Sequence, residues 1–251
     1  MYTHLPRPTI FAHRGSSLRA PENTMAAFEL ALQEQADGIE LDVKLCGDGH
    51  VVVMHDQSVD RTTNGTGQVK DLSLAELKRL DAGLKFNPSY SGEMIPTLEE
   101  VLNSFSQRTF INIELTNYAS VTDSLPEKVA ELVKQYAASG SVMYSSFNPL
   151  ALRRIRRLTP DVPLGLLAFQ GRKGAWARGP LGRWLVRYQA LHPELNDVDK
   201  NLVVRIHREG KRVNTYTVND PEDMRYLTKI QVDGIFTDDP LLARQVLTQF
   251  H

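Results

Sequence analysis

Short apolar runs alternate with longer amphipathic segments from one end of the chain to the other. Apolar runs bounded by turn residues suit strands, and apolar positions three and four apart suit helices. Strand-like runs span Thr9–Ala12, Asp37–Leu45, Thr109–Leu115, Ser141–Ser145, Val162–Leu167, Ala190–His192, Arg212–Thr217 and Gly234–Thr237, eight in all. Helix-like segments fill the intervals. Thr24–Gln35 carries Phe28, Leu30, Ala31 and Leu32, and Thr97–Ser106 opens with Thr-Leu-Glu-Glu, a capping-box pattern. Further helices are predicted at Leu125–Ala138, Pro149–Leu158, Val198–Arg208, Pro221–Leu227 and Pro240–Gln249. Strands that alternate with helices pair in parallel through right-handed crossovers. Eight such units in 251 residues predict an α/β fold of the (β/α)8 TIM-barrel type rather than a doubly wound sheet.

Two segments interrupt the alternation. Residues from about 56 to 96 separate the second strand from its helix and hold the turn Asn64-Gly65-Thr66-Gly67, a short helix candidate Leu74–Leu80, and Asn87-Pro88. A structureless loop of that length would contradict the assignment, whereas a small insertion capping the catalytic face would not. The reading is one barrel domain over residues 1–251 with an insertion subdomain at about 56–96. Just before it, Val51–Met54 reads as a strand that folds back on the second strand through the turn Cys46–Gly49. The second interruption, Phe169–Arg187, is rich in Gly and Arg and reads as a basic loop after the fifth strand. It lacks the aromatic interleaving of a nucleic-acid site.

Composition narrows the class. With 41% hydrophobic residues, 24% charged residues and a net charge of −1, the chain has the make-up of a globular protein and not of a polyanion binder. Cys46 is its only cysteine, which excludes an internal disulfide. The opening residues hold no long apolar stretch of the secretory kind, and no segment approaches the ~20 apolar residues of a membrane span. The expectation is a cytoplasmic protein with a small-molecule substrate, no nucleic-acid partner and no membrane span. Oligomeric state leaves no trace in the pattern.

Placed on this frame, the polar residues at strand ends converge. Functional groups of a (β/α)8 barrel sit at the C-terminal ends of its strands. His13 and Arg14 follow the first strand directly. Glu40 and Asp42, two apart on the second strand, point to one face. Glu114 lies near the end of the third predicted strand, and His55 follows the fold-back run. Three carboxylates at one mouth repel each other unless a cation lies between them. Oxygen-only ligands select a hard ion, Mg2+ or Ca2+, over zinc. Two histidines can move protons near neutral pH, and an arginine suits a phosphate oxygen. The set predicts a metal-assisted phosphodiesterase. His192, at the end of the sixth strand, reads as a structural residue or a substrate contact. His4, His50, His207 and His251 read as surface residues.

At these residues the chain resembles the glycerophosphodiester phosphodiesterase family. The matching stretches are His13-Arg-Gly-Ser, Pro21-Glu-Asn-Thr, Glu40-Leu-Asp-Val, His55-Asp and Asp60-Arg-Thr-Thr-Asn-Gly-Thr-Gly, then Asn112-Ile-Glu-Leu, Ser145-Ser-Phe-Asn, Thr217-Val-Asn and Asp233-Gly-Ile-Phe-Thr-Asp-Asp-Pro. They span essentially the whole chain. The resemblance implies a TIM barrel with a small insertion after the second strand. It implies one divalent cation on Glu40, Asp42 and Glu114, with His13 and His55 as the general acid–base pair and Arg14 on the phosphate. The implied reaction is hydrolysis of a glycerophosphodiester to glycerol 3-phosphate and an alcohol, within phospholipid and glycerol metabolism. A lysophospholipase D or sphingomyelinase D type of reaction would use the same site with a wide apolar mouth near the insertion and Phe169–Trp184. A barrel that binds phosphodiesters without cleaving them is the remaining alternative.

The chain departs from the family at three places. The lysine common two residues after the third-strand glutamate is here Thr116. Asn117 offers a neutral hydrogen bond to the phosphate in its stead, and alternation puts Lys44 on the carboxylate face. Tyr216 stands where the family often has Trp before Thr-Val-Asn, which keeps an aromatic wall for the substrate. Cys46-Gly47 replaces the more usual Thr-Lys.

Overall fold

The computed structural model describes residues 2–118, 120 and 122–248. Among the described residues, nine strands form one sheet: β1 (Thr9–Ala12), β2 (Gly38–Leu45), β3 (Val51–Val53), β4 (Phe110–Leu115), β5 (Val142–Ser146), β6 (Leu164–Ala168), β7 (Ala190–Pro193), β8 (Arg212–Thr215) and β9 (Gly234–Thr237). Eight of them pair in parallel in the order β1-β2-β4-β5-β6-β7-β8-β9, and β9 returns to β1 through Thr9↔Gly234 to Ala12↔Thr237. The sheet is a closed (β/α)8 barrel. β3 lies outside that count, antiparallel on the upper end of β2 (Val43↔Val53, Leu45↔Val51), where the sequence places the fold-back.

The helices are α1 (Met25–Gln33), α2 (Leu74–Leu77), α3 (Leu98–Phe105), α4 (Leu125–Gln135), α5 (Pro149–Leu158), α6 (Ala175–Arg178), α7 (Pro180–Leu185), α8 (Lys200–His207), α9 (Pro221–Lys229) and α10 (Pro240–Thr248). Local chemistry sets their starts. Thr24 caps α1 by accepting from the Ala27 amide, and Thr97 and Glu100 form the predicted capping box of α3. Asp199 caps α8, so that helix begins at Lys200 and not at Val198. α4 ends before Ala138 because Ala137 turns into the left-handed region at φ +49°. The last residue of the predicted helix Pro240–Gln249 lies outside the described residues, as does His251. β6 starts at Leu164 because Pro163 has no amide to donate to a ladder.

The loop predicted over Phe169–Arg187 is corrected by the structure, which folds it into α6 and α7. Both helices are short and punctuated by Gly174, Gly179 and Gly182, so no periodic signal accumulates in the sequence. Gly182 permits the packing: a Cβ there would stand 2.4 Å from the Ala177 carbonyl oxygen.

Two apolar layers position the site. Ile39, Leu41 and Val43 on the outer face of β2 pack with Phe28, Leu98 and Leu102 from the helices. Inside the barrel, Phe11, Phe110, Met143, Ala190 and Phe236 fill the lower end, with Phe11 stacked on Phe236 at 4.9 Å. The alternate β2 residues Glu40 and Asp42 therefore stand above an apolar plug. β3 and the residues between it and α3 build a separate small core of Val52, Met54, Val59, Val69, Leu77 and Ile95. Among the described residues, no helix is long and apolar enough to cross a membrane.

Candidate active site

A cavity of about 230 Å³ opens at the C-terminal ends of the strands. Its acidic wall comes from β2 and β4. The parallel register sets Asp42 opposite Glu114 and Glu40 opposite Asn112. Ligand oxygens of Glu40, Asp42 and Glu114 all lie within 4.8 Å of one another. Burial, followed by repulsion from Asp42 and Glu114, pushes the Glu40 carboxyl well above its ordinary range. Burial and Asp42 likewise push Glu114 up to about 8. Partners orient the cluster: the Arg14 amide donates to Glu40 at 2.9 Å, and the Asn23 side chain donates to Asp42 at 3.0 Å. Tyr118 donates its hydroxyl to Glu114. Glu40 Oε1 is buried and makes no hydrogen bond among the described residues. An under-compensated group of hard oxygen donors fits a divalent cation of the Mg2+ or Ca2+ type.

The imidazoles of His13 and His55 line the same cavity. His13 leaves β1 into a sharp turn, with Arg14 at φ +57° and Gly15 at φ +84°. A Cβ at Gly15 would stand 2.6 Å from the Ala27 backbone, so only glycine lets this turn press on α1. His13 Nδ1 lies 2.7 Å from Asp238 Oδ1, and Asp238 also accepts from Ser17 (3.0 Å) and Asn219 (2.6 Å). Burial works to raise the Asp238 carboxyl, but the bonds from His13, Asn219 and Ser17 outweigh it and hold the group at about 2. His55 Nδ1 lies 2.7 Å from Asp56 Oδ1, and Arg61 donates to Asp56 at 2.5 Å. The Arg61 bond, against partial burial, depresses Asp56 to about 2. With Nδ1–H donated to a carboxylate, each ring keeps the Nε2 lone pair for chemistry.

Arg14 donates to Glu22 at 3.0 Å and its Nε stands 3.4 Å from Asp42. Desolvation opposes its charge, yet Asp42, Glu22 and Glu40 together raise its pKa. Tyr216 lines the cavity and donates to the Ala168 carbonyl at 2.9 Å. The structure thus brings His13, Arg14, Glu40, Asp42, His55, Glu114 and Tyr216 to one cavity. It does not bring Asn117 there. That side chain donates to Asp123 at 2.9 Å and borders a neighbouring cavity, because the chain turns outward after β4. Lys44 also points into that neighbouring cavity. Its ammonium donates to the carbonyls of Met54 (2.6 Å) and His55 (2.7 Å) and to Thr116 Oγ1 (3.1 Å). Trp184 borders a separate depression, so the aromatic rim of the mouth is built instead by Phe147 stacked on Phe169 at 4.0 Å.

His192 sits fully buried at the cavity wall, with Nε2 3.2 Å from the Asn214 amide, and burial drives its pKa down to about 3. His207 is not a free surface residue; it meets the buried Asp233 at 2.7 Å. Sequence reasoning assigned no role to Asn23, Glu22, Arg61, Phe147 or Asp238. Each lies inside one of the stretches quoted above, which was the available signal.

A model of the glycerophosphoryl diester phosphodiesterase family matches residues 13–242. The chain belongs to this family of phosphoric diester hydrolases. A glycerophosphodiester phosphodiesterase of Caldanaerobacter subterraneus is 43% identical over 234 residues, 92% of this chain and 94% of the relative. An Oleispira antarctica phosphodiesterase, solved in complex with the product sn-glycerol-3-phosphate, superposes with a TM-score of 0.89 at 33% identity, covering 98% of both chains. A glycerophosphodiester phosphodiesterase of Agrobacterium tumefaciens superposes with a TM-score of 0.83 at 31% identity, covering 95% of this chain and 99% of that one. The chain thus covers nearly the whole length of these relatives.

Proposed function

We propose that this phosphodiesterase hydrolyses a glycerophosphodiester to glycerol 3-phosphate and an alcohol, with a divalent cation held by Glu40, Asp42 and Glu114 and with His13 and His55 as the acid–base pair. The observation that carries the reading is one cavity holding three clustered carboxylates and two imidazoles, each imidazole oriented by its own carboxylate. A bound Mg2+ or Ca2+ would neutralise phosphate oxygens and stabilise the charge that grows in the transition state. Arg14 adds a fixed positive charge at the same wall. One imidazole takes the proton from the attacking hydroxyl, either that of water or the substrate's own 2-hydroxyl; the second route expels the alcohol and leaves a cyclic phosphate that water then opens to glycerol 3-phosphate. The other delivers a proton to the departing alkoxide. Asp238 and Asp56 hold the rings in the tautomer that permits both transfers and favour the imidazolium that forms. Tyr216 and Phe147 supply the aromatic wall of the pocket.

Release of glycerol 3-phosphate from glycerophosphocholine, with Mg2+ or Ca2+ added and after chelation, tests the reading. Each histidine contributes a general acid–base factor of ~10²–10⁴. His13→Ala and His55→Ala should therefore lose that much kcat while ion binding persists. Glu40→Gln and Asp42→Asn should instead lose ion binding. Near-normal turnover in either histidine variant would overturn the assignment. The exposed Phe169 ring stacked on Phe147 favours a second reading, in which the leaving alcohol carries an apolar chain. A lysophospholipid turned over faster than glycerophosphocholine would select it.

A further inference from the structure

On the flank of the barrel, α5 and α7 enclose a surface depression of about 390 Å³ lined by Arg153, Arg156, Arg157, Trp184, Leu185 and Arg187. Among the described residues, no acidic one lines it. Four guanidinium groups close together repel each other, and most clustered arginines elsewhere in this chain meet a carboxylate: Arg14 with Glu22, Arg19 with Asp239, Arg108 with Glu29, Arg178 with Asp197. Among the described residues, none of Arg153, Arg156, Arg157 and Arg187 has an ion-pair partner; Arg156 reaches only the Arg187 carbonyl. The concentration of charge is local, since the whole chain carries −1. Arg156 and Arg157 are favoured by the C-terminal dipole of α5, which accounts for two of the four. Arg153 and Arg187 have no such reason.

The apolar side of the patch is as distinctive. Trp184 is 78% exposed, the highest value among the described large hydrophobic residues, and Leu181, also on α7, is 50% exposed. Three residues apart, they share one helix face. Arg153 and Arg157, four apart, share a face of α5. An exposed indole and a leucine beside four unpaired guanidinium groups combine the two features that hold a protein at a lipid–water interface. Aromatic side chains settle at the headgroup level, and basic side chains meet anionic headgroups. A nucleic-acid strand would call for stacking rings spaced along a basic groove, and among the described residues that line this depression the one ring is Trp184.

We propose that the α5–α7 patch docks this chain on an anionic phospholipid surface, with Trp184 and Leu181 at headgroup depth and the four arginines on lipid phosphates. The proposal is independent of the catalytic assignment, because none of these residues lines the catalytic cavity. Co-sedimentation with vesicles of phosphatidylcholine alone, or mixed with phosphatidylglycerol, tests it. The intact protein should sediment with the mixed vesicles at low salt, and much less with neutral ones or at high salt. Each neutralised arginine should weaken partition about fivefold, so Arg153→Gln with Arg157→Gln should weaken it about 25-fold. Both are exposed, and an unchanged melting temperature would show that the fold is intact. In a Trp176→Phe background, the remaining Trp184 emission should shift to the blue on mixed vesicles, and Trp184→Ala should sediment less. Equal sedimentation with neutral vesicles, or full binding by the double arginine variant, would overturn the proposal. An unmoved Trp184 emission alongside charge-dependent binding would also overturn it and assign the patch to a soluble polyanion.

Discussion

Asp238 acts at one atom, Nδ1 of His13, from 225 residues away in sequence. Replacing it with Asn keeps the size but removes the charge that favours imidazolium, and Asn can donate to Nδ1, which then loses its proton to Nε2. Asp238→Asn should therefore lower kcat about a hundredfold or more while KM changes little, as steady-state assays would show. Lys44 offers a second prediction. It is buried, and its ammonium bridges β2, the backbone at His55 and Thr116. Lys44→Met leaves the buried Met54 carbonyl and the part-buried His55 carbonyl without this partner, and a lost partner of this kind costs ~1–3 kcal/mol. Denaturant titration should show a loss of about 2–5 kcal/mol, and kcat should fall because the His55 backbone loses its anchor. Alternation along one strand made Glu40 and Asp42 legible, since period two needs no knowledge of the fold. The contact to Asp238 was not legible, because it depends on the first and last strands closing side by side. Asn117 does not line the catalytic cavity for a related reason: spacing says that it follows Glu114, but not that the chain has already turned away.

Strands and helices of the barrel were readable because each buries one face and so repeats with a fixed period. β3 was readable for the further reason that a turn precedes it and three valines fill it. α6 and α7 were not, since four and six residues complete too few turns for a period to emerge, and their glycines serve packing that only the fold reveals. That packing gives a prediction for the element. Gly182→Ala would press a methyl group onto the Ala177 carbonyl, 2.4 Å from the new Cβ, and overpacking of this kind costs ~1–3 kcal/mol. The melting temperature should fall while kcat stays within about twofold, because α7 contributes nothing to the catalytic cavity. A fall in kcat without loss of stability would show that α7 is coupled to the mouth.

At the scale of the whole molecule, two sets of acidic groups respond to pH with opposite sign. In protein stripped of ions by a chelator, Glu40 and Glu114 bind protons more tightly than in the unfolded chain, Glu114 up to about 8 against an ordinary 4.5. Between those values the folded form holds more protons than the unfolded one, so stability falls as pH rises. Asp56 and Asp238, depressed to about 2 from 3.8, give stability that is complete above 3.8 and fades as pH falls toward 2. The stripped protein should therefore melt highest in mildly acidic solution. A divalent ion competes with the protons on Glu40 and Glu114, so its binding strengthens with pH. The gain in melting temperature from excess Mg2+ or Ca2+ should thus widen steadily from about pH 5 to pH 8. Glu114→Gln removes one of the two protonated carboxyls and should flatten both slopes. A gain that stays constant with pH would mean that the ion settles elsewhere, since a cation on these carboxylates must displace the protons that burial and mutual repulsion keep there.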